Sequence, residues 1–217
     1  MNTKERIINT ALKLFNQNGV VKTTTRKIAE EMGIRHGNLT YHYLKKEQMI
    51  EVLYDQMFNE MEERVQVPSK VSLQFIQNLL NFSYQFQYRY RFFFLDIVEI
   101  TRLYPDIAQR HLHTQKKRVT ETRGLLQMCV KESLLTPEKV PGSYDQIAQM
   151  IWFINTFWMS QQWVFGQTPT PKDAQATLHM IWQLLMPYFT EKGWTAYKSL
   201  AQKTFTEPFN TQTNENN

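Results

Sequence analysis

Cysteine is almost absent. Cys129 is the single one among 217 residues, which excludes an internal disulfide and a cysteine-based zinc site. Its setting, Leu-Leu-Gln-Met-Cys-Val, is apolar and helical, the surroundings of a buried inert thiol. Glycine and proline are scarce, at seven and eight, too few for the turns of an all-β chain this long. Long apolar runs are missing as well. The greasiest stretch, Met150 to Phe165, is interrupted by Asn155, Gln161 and Gln162 and falls short of a membrane span. The opening Met-Asn-Thr-Lys-Glu-Arg has no apolar signal core, so a cytoplasmic protein is expected. No phosphate-binding glycine loop, nucleophile elbow or metalloprotease motif occurs. His111 and His113 point to diverging helical faces and are poorly placed to share a metal. No enzyme, cofactor or metal site is indicated.

What the chain does have is an apolar fraction of 42% and 14 Phe, 10 Tyr and 5 Trp, enough for a real core. An all-α fold is expected. Asn2 with Glu5 has the form of a capping box opening a helix to about Gln17, which Asn18-Gly19 closes. Helices are then predicted over about 24–32 and 36–43, joined at Gly33, followed by a long connector from Lys46 to about Val65 that Val67-Pro68-Ser69 breaks. Further helices are predicted at about 71–90, 92–103, 105–134, 143–166 and 172–186, with another after Pro187. The division expected is 1–46, 47–205 and a polar, disordered tail over 206–217.

Charge is unevenly placed. Residues 1–50 hold nine Lys and Arg against four Glu, while the remainder is formally neutral. The net charge of +5 therefore lies in the amino-terminal quarter, an electrostatic footprint that suits a phosphate backbone. In the same quarter two short helices meet at a glycine turn, the pattern of a helix-turn-helix whose second helix enters the major groove.

Three features combine there: the leading helix ending Phe15-x3-Gly19, then Thr24-Thr25-Arg26-Lys27-Ile28-Ala29 with Gly33, and Gly37-Asn38-Leu39-Thr40-Tyr41-His42-Tyr43 before Lys45-Lys46-Glu47. Over residues 5–53 the chain resembles the DNA-binding domain of the TetR family of bacterial transcriptional repressors. The resemblance implies that Thr25 and Arg26 contact phosphate and that His36, Gly37 and Asn38 reach base edges. It also implies that Tyr41 and His42 touch backbone and sugar, and that Lys46 grips another phosphate. Asn38 has the donor and acceptor that adenine's major-groove edge asks for. Two departures alter the groove-facing surface: Arg35 stands where a small capping residue is usual, and Thr40 where a tyrosine is common. The operator sequence therefore cannot be borrowed from relatives.

The resemblance further implies a homodimer on a palindromic double-stranded operator and a carboxy-terminal helical domain for ligand binding and dimerisation. Pairing would use the faces bearing Ile147, Met150, Ile151, Ile154, Phe157 and Trp158, then Leu178, Ile181, Trp182 and Leu185. A pocket for a small hydrophobic effector would lie among Phe75, Phe82, Phe86, Phe93, Phe94, Asp96, Ile97, Phe153, Phe157 and Trp163, although such aromatic stripes are also plain core. Asp96 and Glu99, carboxylates in an apolar run, need a partner, which Arg102 would supply as a structural ion pair more readily than a bound cationic ligand. Lys116-Lys117-Arg118 reads as a solvated helix face. The expected function is repression relieved by a small hydrophobic ligand. Two alternatives are a regulator controlled by a protein partner, or an all-α enzyme or carrier with a basic amino-terminal module.

Overall fold

The computed structural model describes residues 2–64, 67–170 and 173–204; the tail expected over 206–217 lies outside them. The described residues form α1 (Thr3–Asn18), α2 (Thr25–Glu31), α3 (His36–His42), α4 (Lys46–Arg64), α5 (Leu73–Arg89), α6 (Arg91–Leu95), α7 (Ile97–Leu103), α8 (Pro105–Lys131), α9 (Ser143–Val164), α10 (Ala174–Leu185) and α11 (Glu191–Thr204). The fold is all-α, with one isolated bridge between Leu135 and Phe189.

Local chemistry accounts for the first helices. Asn2 Oδ1 accepts from the Glu5 N–H at 2.9 Å while Glu5 accepts from the Asn2 N–H at 3.0 Å, the reciprocal capping box. Gly19 ends α1 at φ +77°, donating to the Phe15 carbonyl, a conformation that a side chain would strain. Thr24 caps α2 by accepting from the Lys27 N–H. Ile7, Ile8, Ala11 and Phe15 of α1 pack with Ile28, Ala29 and Leu39, and with Met49, Ile50 and Leu53 of α4, closing a small amino-terminal core.

In the larger part, α5, α8, α9 and α10 supply most of the core. Two buried glutamines of α5 tie it to its neighbours. Gln77 accepts from the Trp182 indole at 2.7 Å, and Gln87 accepts from the Trp158 indole at 2.7 Å while donating to Ser83 at 3.2 Å. Polar groups fully buried in this way are tolerated because they are paired.

Three expectations are corrected. The stretch read as one helix over 92–103 is two, α6 and α7, interrupted at Asp96. Lys117 and Arg118 are not a solvated face: both are half-buried against Glu62, with Arg118 Nη2 at 2.6 Å from Glu62 Oε1 and Nη1 at 2.7 Å from Glu121 Oε2. Of the residues expected on the pairing faces, Ile147, Ile151, Trp158, Leu178, Ile181, Trp182 and Leu185 are buried inside this subunit. Cys129 is free and buried, its thiol pushed up to about 12, mainly by burial and then by Glu132.

Candidate functional site

The helix-turn-helix pair is built so that one side anchors and the other is bare. Gly33, at φ +66°, turns the chain between α2 and α3, and the Ile34 N–H returns to the Ala29 carbonyl at 3.0 Å. Of the seven residues of α3, Leu39 alone is buried. His36, Gly37, Asn38 and Tyr41 are exposed, Tyr41 to 86%, with its ring set edge-on to His42. A large aromatic so exposed on a short helix contributes little to the core and leaves a ring free for a partner. A Cβ at Gly37 would meet nothing within 4 Å, so the fold itself does not demand glycine there. His36 Nε2 lies 2.9 Å from Thr25 Oγ1, bridging the starts of α3 and α2. Thr40 turns its hydroxyl back to the Gly37 carbonyl at 3.2 Å. Arg26 and Arg35 are exposed, and Arg35 makes no side-chain cap.

The Lys46 side chain is engaged within the fold. Its Nζ donates to the Val20 carbonyl at 2.6 Å, and burial lowers its pKa against the opposing pull of nearby Asp96. It is a structural cation, turned inward. Asp96 completes the arrangement: Oδ2 accepts from the Val20 N–H at 2.8 Å, and a Cβ at Gly19 would stand 3.1 Å from the same oxygen. Val20 is thus held by both of its backbone groups. Among the described residues neither Asp96 nor Glu99 forms an ion pair with Arg102. Asn16 makes a second strap one turn earlier in α1, donating to the Arg89 carbonyl at 2.8 Å and accepting from the Phe92 N–H at 2.9 Å. The Phe15 and Phe92 rings meet at 5.5 Å beside it.

A cavity of about 180 Å³ lies between α4, α5, α8 and α9. Of the residues expected in a pocket, Phe86 and Phe94 line it. Phe82 is half-buried, stacked under Arg64. Phe93 is buried behind the cavity against Tyr54 and His111, and Ile97 is core. Phe75 is half-buried at the core's edge. Phe153, Phe157 and Trp163 do not reach the cavity: they are 52%, 42% and 60% exposed. α9 is apolar on more than one side, and its other face, with Ile151, Trp152, Asn155 and Thr156, lines the cavity.

Sequence reasoning missed the polar part of this wall. Tyr54 OH lies 3.1 Å from Thr114 Oγ1 and 3.5 Å from His111 Nδ1. Burial pushes His111 down to about 4, so the imidazole is neutral at pH 7. The only signal in the sequence was a polar residue interrupting an apolar helical stripe, as Asn155 does. Among the described residues no three His, Cys, Asp or Glu stand together as a metal site, and no described helix is long and apolar enough to cross a membrane.

Two family models match the chain. A family model described as "Bacterial regulatory proteins, tetR family" matches residues 7–53, and one described as "Bacterial transcriptional repressor" matches residues 56–197. A probable HTH-type transcriptional regulator of Bacillus subtilis, YttP, is 23% identical over 125 residues, 54% of this chain and 60% of that protein. The class C tetracycline repressor protein of Escherichia coli is 35% identical over 54 residues, 25% of each chain. The chain thus matches less than two thirds of the length of either relative. A TetR-family transcriptional regulator from Marinobacter aquaeolei VT8 superposes with a TM-score of 0.86 at 20% identity, covering 94% of this chain and 98% of the other. CprB from Streptomyces coelicolor A3(2) superposes at 0.64 and 16% identity, over 96% and 100%. At such identities these structures share the fold alone.

Proposed function

The chain belongs to the TetR family of bacterial transcriptional regulators, DNA-binding proteins that act as dimers, and from that premise we propose that it is a repressor released from a palindromic operator by a small molecule. The observation that carries the reading is the pairing of a bare recognition face on α3 with an apolar cavity one connector helix away. His36, Gly37 and Asn38 face base edges, with Arg35 and Thr40 shaping the same groove-facing surface; Thr25 and Arg26 serve phosphates, with Tyr41 and His42 at the backbone. Lys46 is not among the phosphate contacts.

Two such faces need a dimer that sets them about one DNA turn apart, roughly 34–36 Å. The dimer face is the exposed stripe Met150, Phe153 and Phe157 of α9, spaced by three and four residues, joined by Met180 of α10. Apolar side chains aligned in this way and left open on one subunit suit a two-fold, self-complementary contact. A cavity in the larger domain favours a small-molecule effector over a protein partner, which would need no internal space.

Mobility shifts with the DNA flanking the protein's own gene test the reading. A sequence-specific complex of dimeric protein is expected, its log affinity falling with log salt at a slope of about −5 if each subunit neutralises three phosphates. No sequence-specific shift at low salt would sink it.

A further inference from the structure

The cavity defines its occupant more narrowly than its location does. Its volume, about 180 Å³, is close to that of engineered apolar cavities of about 150 Å³ that take up benzene. A single ring with one substituent fits a space of that size. Charge around the space is internally balanced. Arg118 sits between Glu62 and Glu121, and Lys117 also pairs with Glu62. His111 is neutral. A charged ligand would give up its hydration and find no free counter-ion.

Most polar groups on the wall are already engaged: Gln87 by Trp158 and Ser83, Tyr54 by Thr114, Arg118 by its two carboxylates. One is not. Asn155 lines the cavity, and its Oδ1 is buried and has no hydrogen-bond partner. A buried acceptor left unpaired is destabilising, and a donor brought by the occupant relieves it.

Resting on the effector-controlled reading above, the geometry points to an uncharged single-ring effector bearing one O–H or N–H donor, of the phenol class, with the donor on Asn155 Oδ1 and the ring among Phe86, Phe94 and Trp152. Asn155 is then the residue that sets specificity, while the aromatic wall supplies affinity without choosing between similar rings.

Calorimetric titration of the full chain at pH 7 with phenol, anisole, toluene and benzoate tests this. Phenol keeps its proton at that pH. Anisole has the same ring and oxygen but no donor. Phenol should bind about five- to tenfold more tightly than anisole or toluene, the worth of one hydrogen bond, and benzoate should not bind. In Asn155→Leu, phenol should fall to the level of toluene while toluene binding persists, which also shows that the variant is folded. Equal binding of phenol and anisole, tighter binding of benzoate, or binding of none of the four overturns the assignment. Operator release is measured separately by fluorescence anisotropy. Phenol binding that obeys this order without releasing DNA supports the ligand class and refutes the release mechanism.

Discussion

Asp96→Ala is the substitution that bears most directly on how the two parts of the molecule communicate. The carboxylate accepts from the Val20 N–H at 2.8 Å, and Val20 is buried. Hydrogen bonds to a charged group contribute about 1.5–3 kcal/mol, and leaving a buried N–H unpaired costs a similar amount. Asp96 is itself half-buried, so solvent screening places the expected loss near the lower half of that range, about 2 kcal/mol. Asp96→Asn keeps an acceptor and loses only the charge, and should cost about half as much. Because Lys46 holds the other backbone group of the same residue, the Val20 carbonyl, a double-mutant cycle with Lys46→Met should show a coupling of at least about 0.5 kcal/mol. Urea unfolding at fixed protein concentration reads these values, since a dimer's stability depends on concentration. Operator affinity should survive, whereas the loss of affinity caused by effector should shrink by severalfold, as a coupling of about 1–3 kcal/mol is weakened. If Asp96→Ala unfolds within about 0.5 kcal/mol of wild type and releases operator normally, the contact is incidental and the reasoning fails.

Other outcomes follow from the same geometry. Arg26→Ala should lower the salt slope of operator binding by about 1, as expected for a lost phosphate contact. Lys46→Met should leave the slope unchanged and lower stability instead; the opposite pattern in anisotropy titrations would reverse the two roles. His111, neutral in the fold down to about pH 4, takes up its proton in the unfolded chain from about pH 6.5. Acidification across that window therefore favours unfolding, by up to about 3 kcal/mol at 1.36 kcal/mol per unit. His111→Gln should remove that increment, so the stability advantage of wild type over the variant should fall between pH 7 and pH 4; a pH-independent difference contradicts the assignment. Trp182→Phe deletes part of a fully buried ring and strands Gln77 Oε1. It should destabilise by about 2–4 kcal/mol, and a loss below about 1 kcal/mol would show that the site relaxes around the change.

Features set by neighbours in sequence were legible. The Asn2–Glu5 box, the turns at Gly19 and Gly33, and the ends of α1 to α4 fall within about two residues of expectation, because capping and left-handed residues act over three or four positions. Features set across the fold were not. Asp96 seemed to need Arg102, one and a half turns along the same helix, but its partner is a backbone N–H 76 positions earlier. Lys46 read as a free cation because nothing local announces that the Val20 carbonyl, 26 positions back, will reach it. On α9 the hydrophobic pattern could not separate cavity from surface. A helix that is apolar on two sides has no single stripe to follow, so Phe153 and Phe157 were placed inward when Ile151 and Asn155 hold that side.

The break in the helix between Leu95 and Ile97 is what brings cavity and reading head within reach of one another. Phe94 lines the cavity, and Asp96, two residues on, holds Val20 just beyond the end of α1. α6 has five residues, roughly 7–8 Å of helix at 1.5 Å per residue, too short to bend and absorb a shift at one end. Ser160 fixes the Phe94 carbonyl to α9 at 3.1 Å, so movement of α9 as the cavity fills is passed to α6. Packed interiors respond to such displacement by choosing between arrangements rather than deforming smoothly. Under the proposed release mechanism, α6 is therefore the element whose two positions differ between operator-bound and effector-bound protein, with Asn16 and Asp96 as its two straps on α1. Asn16→Ala removes one strap without touching the cavity or α3. It should leave effector affinity and basal operator affinity near wild type while reducing effector-driven release, and combined with Asp96→Ala it should abolish release. Full release by the double variant would place the transmission elsewhere, along α4 itself.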